Sequence, residues 1–249
     1  MSSNIKRYII PSETNKTDKR FNKLKLNLYG LNPPFVLVLL GTCGSGKTSY
    51  SYSIIKNLKK YYDIILIYSS TRDSKEAWKQ LETKKSDVIV QNRFNPDELE
   101  DFLDDIQNEN VERLDDKKKP LNTLVLFDDM IFSNTMDKMR GNIIDHIISI
   151  HRHKDINVSL LFCSQSYTAL SRNLRVLNCS AVFLFQVNKT DLERIAEEHS
   201  GLLDKDEFIT IFKQLRKTDK YAPFVINYKK PLEKRFSFNN QLIAIKEKS

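Results

Sequence analysis

"GTCGSGKTSY" occupies residues 41–50, directly behind the apolar run FVLVLL at 35–40 and ahead of an amphipathic stretch that runs to Tyr61. Gly41, Thr42, Cys43, Gly44, Ser45, Gly46, Lys47 and Thr48 satisfy G-x-x-x-x-G-K-[ST] at every position, in the strand, loop and helix setting that gives this pattern its meaning. The residue types state the chemistry. The glycines let successive backbone N–H groups turn inward toward phosphate oxygens at the positive end of a helix dipole. Lys47 is expected to reach the β and γ oxygens of a nucleotide, Thr48 to place its hydroxyl on Mg²⁺, and Ser49 to complete the nucleotide-binding stretch. Cys43 reads as a small loop filler, and a lowered thiol pKa near a helix N-terminus is the alternative.

Outward from this loop the chain alternates. Strand-like runs recur at 35–40, 64–70, 87–91, 122–129, 157–165 and 180–187, and most lack strict apolar/polar alternation, as strands buried on both faces do. Helical patterns lie between them at Lys47 to Tyr61, Pro96 to Asn108, Thr135 to His151 and Asp191 to His199. The expected fold class is therefore α/β, a mostly parallel central sheet flanked by helices. Residues 1–32 read as a basic N-terminal extension, 33–228 as the nucleotide-binding domain, and 229–249 as a basic tail outside the core. The segment DDKKKP at 115–120 reads as a solvated turn, and the region after Gly201 as a helix end, a turn and one late strand.

A chain of 249 residues is long enough for one sizeable core without disulfides. Cys43, Cys163 and Cys179 are odd in number and lack metal-ligand spacing, which fits reduced thiols inside a cell. No apolar stretch approaches the roughly 20 residues of a membrane span, and the N-terminus lacks the apolar centre of a signal peptide. The expectation is a soluble, unsecreted protein. The net charge of +8 is uneven: residues 97–116 hold ten acidic side chains against Arg113 alone, and both ends of the chain are basic. Basic ends suggest a polyanionic partner, nucleic acid first, while solubility of a Lys- and Asn-rich chain is the plain alternative.

Two further strands end in polar residues. LVLFDDM places Asp128 where a carboxylate can support Mg²⁺, and Asp129 next to it where it can polarise an attacking water. An ordinary strand-ending turn would also use Asp. The adjacent second acid is a mark of motor ATPases and helicase-like enzymes, whereas kinases of small metabolites rely on the acceptor's own hydroxyl. INVSLLFCSQS ends in Ser164 and Gln165, and a glutamine there can hydrogen-bond both a γ-phosphate and the attacking water.

The order of these motifs, phosphate loop, LVLFDD, then HRHKDINVSLLFCSQS and an Arg- and Asn-containing stretch before the next strand, resembles the FtsK–HerA superfamily of DNA-pumping ATPases. Within it the resemblance is nearest to the genome-packaging ATPases of large DNA viruses, virophages and Polinton-like elements, over residues 33–200. It implies a RecA-like P-loop ATPase with ATP and Mg²⁺ as cofactors. Lys47 and Thr48 would act on nucleotide and metal, Asp128 on Mg²⁺, Asp129 as catalytic base and Gln165 as sensor. The second acid is commonly Glu in the wider superfamily, so Asp129 has a shorter reach. The resemblance further implies a homo-oligomeric ring in which an arginine acts on the neighbour's γ-phosphate, with Arg152 and Arg175 ahead of Arg172 as candidates and surface ion pairs as their alternative role. Double-stranded DNA and a capsid or portal-vertex protein would be the partners, in the virion or at the viral assembly site in the host cytoplasm.

One motif points elsewhere. Asn188-Lys189-Thr190-Asp191 matches the N-K-x-D with which GTPases read guanine, but Asp128-Asp129-Met130-Ile131 lacks the glycine of D-x-x-G. The competing reading is a helix start, with Thr190 as cap and Glu193 closing a capping box. A GTPase switch or other DNA-independent nucleotide enzyme, and a nucleotide-bound module without turnover, remain the rivals. His146, His151, His153 and His199 lack the spacing of a metal site. Tyr50, Tyr52, Tyr61 and Tyr62 read as core packing, and so do Trp78 and Phe94, for which a substrate loop following the second strand is the alternative.

Overall fold

The computed structural model describes residues 30–70, 78–81, 86–129, 143–239, 241–243 and 245. In chain order its strands are β1 (Val36–Leu40), β2 (Ile64–Ser69), β3 (Asp87–Gln91), β4 (Thr123–Asp128), β5 (Val158–Ser164), β6 (Ala181–Leu184), β7 (Phe224–Asn227), β8 (Phe236–Phe238) and β9 (Gln241–Ile243). Its α-helices are α1 (Lys47–Leu58), α2 (Pro96–Asp115), α3 (Ile143–Ile150), α4 (Lys189–His199) and α5 (Lys205–Thr218). The strands form one sheet in the order β3-β2-β4-β5-β1-β6-β7-β8-β9. The six from β3 to β6 are parallel, and β7, β8 and β9 continue the sheet antiparallel.

The missing alternation in the strand sequences has a direct cause. Val36, Val38 and Leu40 of β1 enter one hydrophobic core, while Leu37 and Leu39 enter another on the opposite face of the sheet. Helix α1 covers the second face through Ile54, Ile55 and Leu58, with Tyr61, Tyr62 and Trp78 completing that core. The first face is covered by Leu99 and Leu103 of α2, Ile144, Ile147 and Ile148 of α3, Ile195 of α4, and Phe208 and Phe212 of α5. Among the six parallel strands only β3, at the edge, alternates exposed and buried positions. The aromatic residues assigned to packing do pack: Tyr61, Tyr62 and Trp78 are buried, Tyr50 and Tyr52 lie half-buried against the same core, and Phe94 against the other. All three cysteines are free thiols.

Three sequence expectations change. Helix α2 does not stop at Asn108 but runs to Asp115, so the first residue of DDKKKP is helical. Its buried positions are Leu99, Leu103, Ile106 and Asn110, a helical spacing whose last member is polar. The Asn110 side chain donates to the Asp155 carbonyl at 2.9 Å and accepts the Leu121 amide at 2.6 Å, which anchors the last turns. The stretch 229–249, read as a tail outside the core, supplies β8 and β9, and Ile245 packs against the core. Phe236 stacks among Phe208 and Phe224 with ring centroids 5.8 and 5.5 Å away. The F-S-F alternation carries this signal, obscured by the lysines around it. The third change concerns the start of α4, described with the site. Residues 1–29 and 130–142, which include most of the basic extension and the expected start of the helix at Thr135, lie outside the described residues.

Two stability predictions follow from buried polar groups. Asn110→Leu leaves the Leu121 amide without its acceptor and is expected to lower stability by about 1–3 kcal/mol in urea denaturation, with the far-UV spectrum retained. Burial lowers the pKa of both His151 and His199 from 6.5 to about 4. A folded-state pKa below the unfolded one means that protons bind the unfolded chain first, so stability is full above pH 6.5 and falls toward pH 4. The expected loss is up to about 3 kcal/mol per histidine over that window. A urea midpoint that stays level between neutral pH and about pH 5 would contradict it.

Candidate active site

The phosphate loop is clamped at its base. The Gly41 amide donates to the carbonyl of Ser164, the last residue of β5, at 3.1 Å, and the Thr42 amide donates to Gln186, just past β6, at 2.6 Å. Gly41 has no room for a side chain, because a Cβ would lie 2.6 Å from Ser45 Oγ and 2.8 Å from Phe185 Cβ. Gly46 takes φ 98° to start α1, a left-handed conformation that favours glycine. Asn95, Asn188 and Asp204 cap α2, α4 and α5 with their side chains. Helix α1 has no side-chain cap and no acid in its first turn, so its positive end is left to an anion. Lys47 is buried at this end, with Nζ donating to the Thr42 carbonyl at 3.2 Å.

Strand register places the acids. Ser69, Asp128 and Cys163 stand side by side across β2, β4 and β5, one position beyond the stacked rings of Tyr68, Phe127 and Phe162, which enter the core of the first face. Thr48 Oγ1 donates to Asp128 Oδ1 at 3.1 Å, and Ser69 Oγ approaches Asp128 Oδ2 at 3.5 Å. Burial raises the Asp128 carboxyl above the usual range; the Thr48 hydroxyl opposes this, Asp129 adds to it, and the Cys163 thiol and Lys47 oppose it. A buried carboxylate that its own chain undercompensates favours a cation beside it. Thr48 and Asp128 offer hard oxygen donors, and among the described residues no group of three His, Cys, Asp or Glu could hold a metal by itself. This donor set fits Mg²⁺, which draws its other ligands from phosphate and water. Thr48 and Asp128 would hold the ion, and when bound it would neutralise charge on the phosphate oxygens.

Asp129 differs from its neighbour. Its backbone adopts φ 51°, in the left-handed region that Asp tolerates, and this turns the side chain away from the strand. Its side chain is 33 % exposed, whereas Asp128 is buried. Gln165 Nε2 donates to Asp129 Oδ2 at 3.1 Å, and Lys47 Nζ lies 3.8 Å from Oδ1. The fold therefore joins Lys47, Asp129 and Gln165, three expected site residues from the start of α1 and the ends of β4 and β5. A partly exposed carboxylate that is hydrogen-bonded through Oδ2 and keeps Oδ1 without a hydrogen-bond partner among the described residues is suited to accept a proton from water. A pocket of about 600 Å³ opens here, lined by residues 43–50, Ser53, Asp129 and Tyr221.

Other expected residues lie apart. Arg175 is buried, its Nη1 donates to Glu198 Oε2, and its guanidinium covers the Tyr167 ring at 4.6 Å. Arg152 is exposed where the chain enters β5, the strand end opposite Ser164, and its Nε donates to His151 at 3.2 Å. Neither arginine lines the pocket of its own chain. Asn188, not Thr190, caps α4: its Oδ1 accepts the Asp191 amide at 2.7 Å and its Nδ2 donates to Asp191 Oδ2 at 2.9 Å. The cap falls two residues early because the helix begins at Lys189 and Asp191 is buried at its third position. The carboxylate that would read guanine is thus turned into its own helix.

The description of the family whose model matches residues 18–230 is "Poxvirus A32 protein". The chain belongs to this family. Among solved structures it is similar to B204, the DNA-packaging ATPase of Sulfolobus turreted icosahedral virus, at 13 % identity and TM-score 0.58, covering 84 % of this chain and 98 % of that one. The genome-packaging NTPase B204 of Sulfolobus turreted icosahedral virus 2, in complex with ATP-γS, gives 16 % identity and TM-score 0.53 over 84 % and 97 % of the two chains. ATPases 2 and 3 of EssC from Geobacillus thermodenitrificans give 8 % identity and TM-score 0.55, covering 87 % of this chain and 41 % of that one. Among curated proteins none matches. The resemblance to FtsK–HerA packaging ATPases is borne out, and this A32-family chain is an α/β P-loop ATPase in fold and phosphate-loop architecture.

In this A32-family site, Ser69, Cys163 and Tyr221 were not legible in the sequence. The first two meet Asp128 only through register, and Tyr221 follows α5, far along the chain from the loop it lines. Asp129→Asn is expected to lower the maximal rate of nucleotide turnover by about 10²- to 10⁴-fold with affinity little changed. Steady-state kinetics with a parallel binding titration measure this, and a retained rate would remove Asp129 from the role of base.

Proposed function

We propose that this protein is an ATP-hydrolysing motor that translocates double-stranded DNA and loads a viral genome into a preformed capsid. The observation that carries the reading is the joined set of Thr48 with Asp128 and Asp129 with Gln165 at an uncapped α1, in a chain of the Poxvirus A32 family. ATP with Mg²⁺ is the substrate. Lys47 and the loop amides hold its phosphates, Asp129 takes the proton of the attacking water, and Gln165 links that carboxylate to the presence of the γ-phosphate.

A ring of identical subunits completes the site. Among the described residues no arginine lines the pocket, and charge developing on a transferred phosphoryl group is stabilised by an arginine brought from a neighbour. Arg152 and Arg172, both exposed, are better placed to reach another subunit than Arg175, which is engaged with Glu198. Contacts to DNA are to phosphates, through lysines and arginines, because a motor that passes any sequence gains nothing from base readout. The charge outside the acidic α2 is strongly positive, which supports such contacts. A capsid or portal-vertex protein is the docking partner, at the site of virion assembly.

Turnover of ATP and GTP by the purified protein, with and without long double-stranded DNA, tests the proposal. ATP hydrolysis that DNA stimulates and that Lys47→Ala abolishes is the expected result. Turnover of GTP alone, indifferent to DNA, would overturn it.

A further inference from the structure

The pocket has a wall that the phosphate-binding and catalytic roles leave without a task. Tyr221 lies in the short connection between α5 and β7, yet it lines the pocket together with the loop and the first turns of α1. Its ring sits against the loop: a Cβ built on Gly46 would come 3.6 Å from Tyr221 Cδ1. At 57 % exposed it is one of the few large apolar side chains open on the described surface. An aromatic ring left in water beside a pocket mouth is unused surface unless a flat apolar partner covers it.

The ring is held there by a built turn. Asp219 Oδ1 accepts the amides of Tyr221 at 2.8 Å and Ala222 at 3.1 Å. Buried Arg216 donates to the carbonyls of Ala222 and Lys220 on the other side of the same turn. Lys220 Nζ rests over the Tyr221 ring, 4.7 Å from its centroid, and occupies one face. The pocket between Tyr221 and α1 is bordered by Cys43, Ser49 and Ser53, small side chains that leave room for a planar ring.

We infer that Tyr221 is the stacking platform for the base of the bound nucleotide, with Lys220 backing the ring and Asp219 and Arg216 positioning it. This rests on the nucleotide reading above and adds to it a second point of attachment, to the base and not to the phosphates. Stacking recognises the face of a base, and every base has one, so the platform favours binding without choosing between adenine and guanine.

The test is a binding titration of Mg²⁺ complexes of ATP, GTP and inorganic tripolyphosphate to the full chain, its Tyr221→Ala and Tyr221→Phe variants, and a Tyr221→Trp variant read by indole emission. Tyr221→Ala is expected to weaken ATP and GTP alike by about 10- to 100-fold while tripolyphosphate affinity stays as it was, and Tyr221→Phe, which keeps the ring, to retain most of the nucleotide affinity. The emission of Tyr221→Trp should be quenched by ATP and GTP but not by tripolyphosphate. Unchanged ATP affinity in Tyr221→Ala, equal loss of tripolyphosphate, or no quenching would each overturn the platform while leaving the nucleotide reading intact. Wild-type protein that binds neither ATP nor tripolyphosphate would overturn the nucleotide reading itself.

Discussion

The site depends on one register, that of the parallel pair β1 and β5. Leu40 stands opposite Ser164, and the next residue, Gly41, closes the pair with a hydrogen bond to the Ser164 carbonyl. Because β5 also pairs with β4, the phosphate loop and the two acids are held two strands apart, roughly 10 Å at the usual spacing. That gap is the space in which Thr48 can meet Asp128 and Lys47 can approach Asp129. A slip of one residue in either pairing would send Asp128 to the opposite face of the sheet.

Charge balance then separates the surroundings of two neighbouring carboxylates. Asp128 is buried among Ser69, Thr48 and the Cys163 thiol, where its negative charge is costly and a cation is favoured. Asp129, one residue on, escapes that environment by a left-handed turn and reaches solvent with Gln165 and Lys47 on either side. Two residues identical in chemistry thus acquire different environments across a single change in backbone direction.

The far half of the sheet supports the site from behind. The segment after Gln165 is tied down by Tyr167, whose hydroxyl meets Glu198 and His199 at the end of α4, while Tyr228 meets the other nitrogen of His199. Arg175 joins the same group through Glu198. Tyr167, Arg175 and His199 are buried and Glu198 and Tyr228 half-buried, and their hydrogen bonds connect the chain leaving β5 to α4 and to the end of β7. The antiparallel strands β7, β8 and β9 extend the sheet beyond β6 and carry the turn that brings Tyr221 over the phosphate loop.

Much of this was legible in the residues. The phosphate loop, the six parallel strands and the acids ending LVLFDD were readable because each is local: a contiguous motif, an apolar run buried on both faces, or a strand followed at once by a polar residue. The end of α2 was not, since the spacing that reaches Asn110 replaces an apolar side chain with a polar one whose partners lie far along the chain. The same holds for β8 and β9, whose short alternation is hidden among lysines. By itself the sequence determined the α/β class, the phosphate loop and the identity of both acids, because backbone propensity and burial act over a few neighbouring residues. Only the tertiary structure decided that β5 enters between β1 and β4, that Gln165 meets Asp129, that Asp191 turns inward, and that Tyr221 reaches the pocket. Those are matters of strand order and register, set by contacts between residues distant in the chain, which no local pattern encodes.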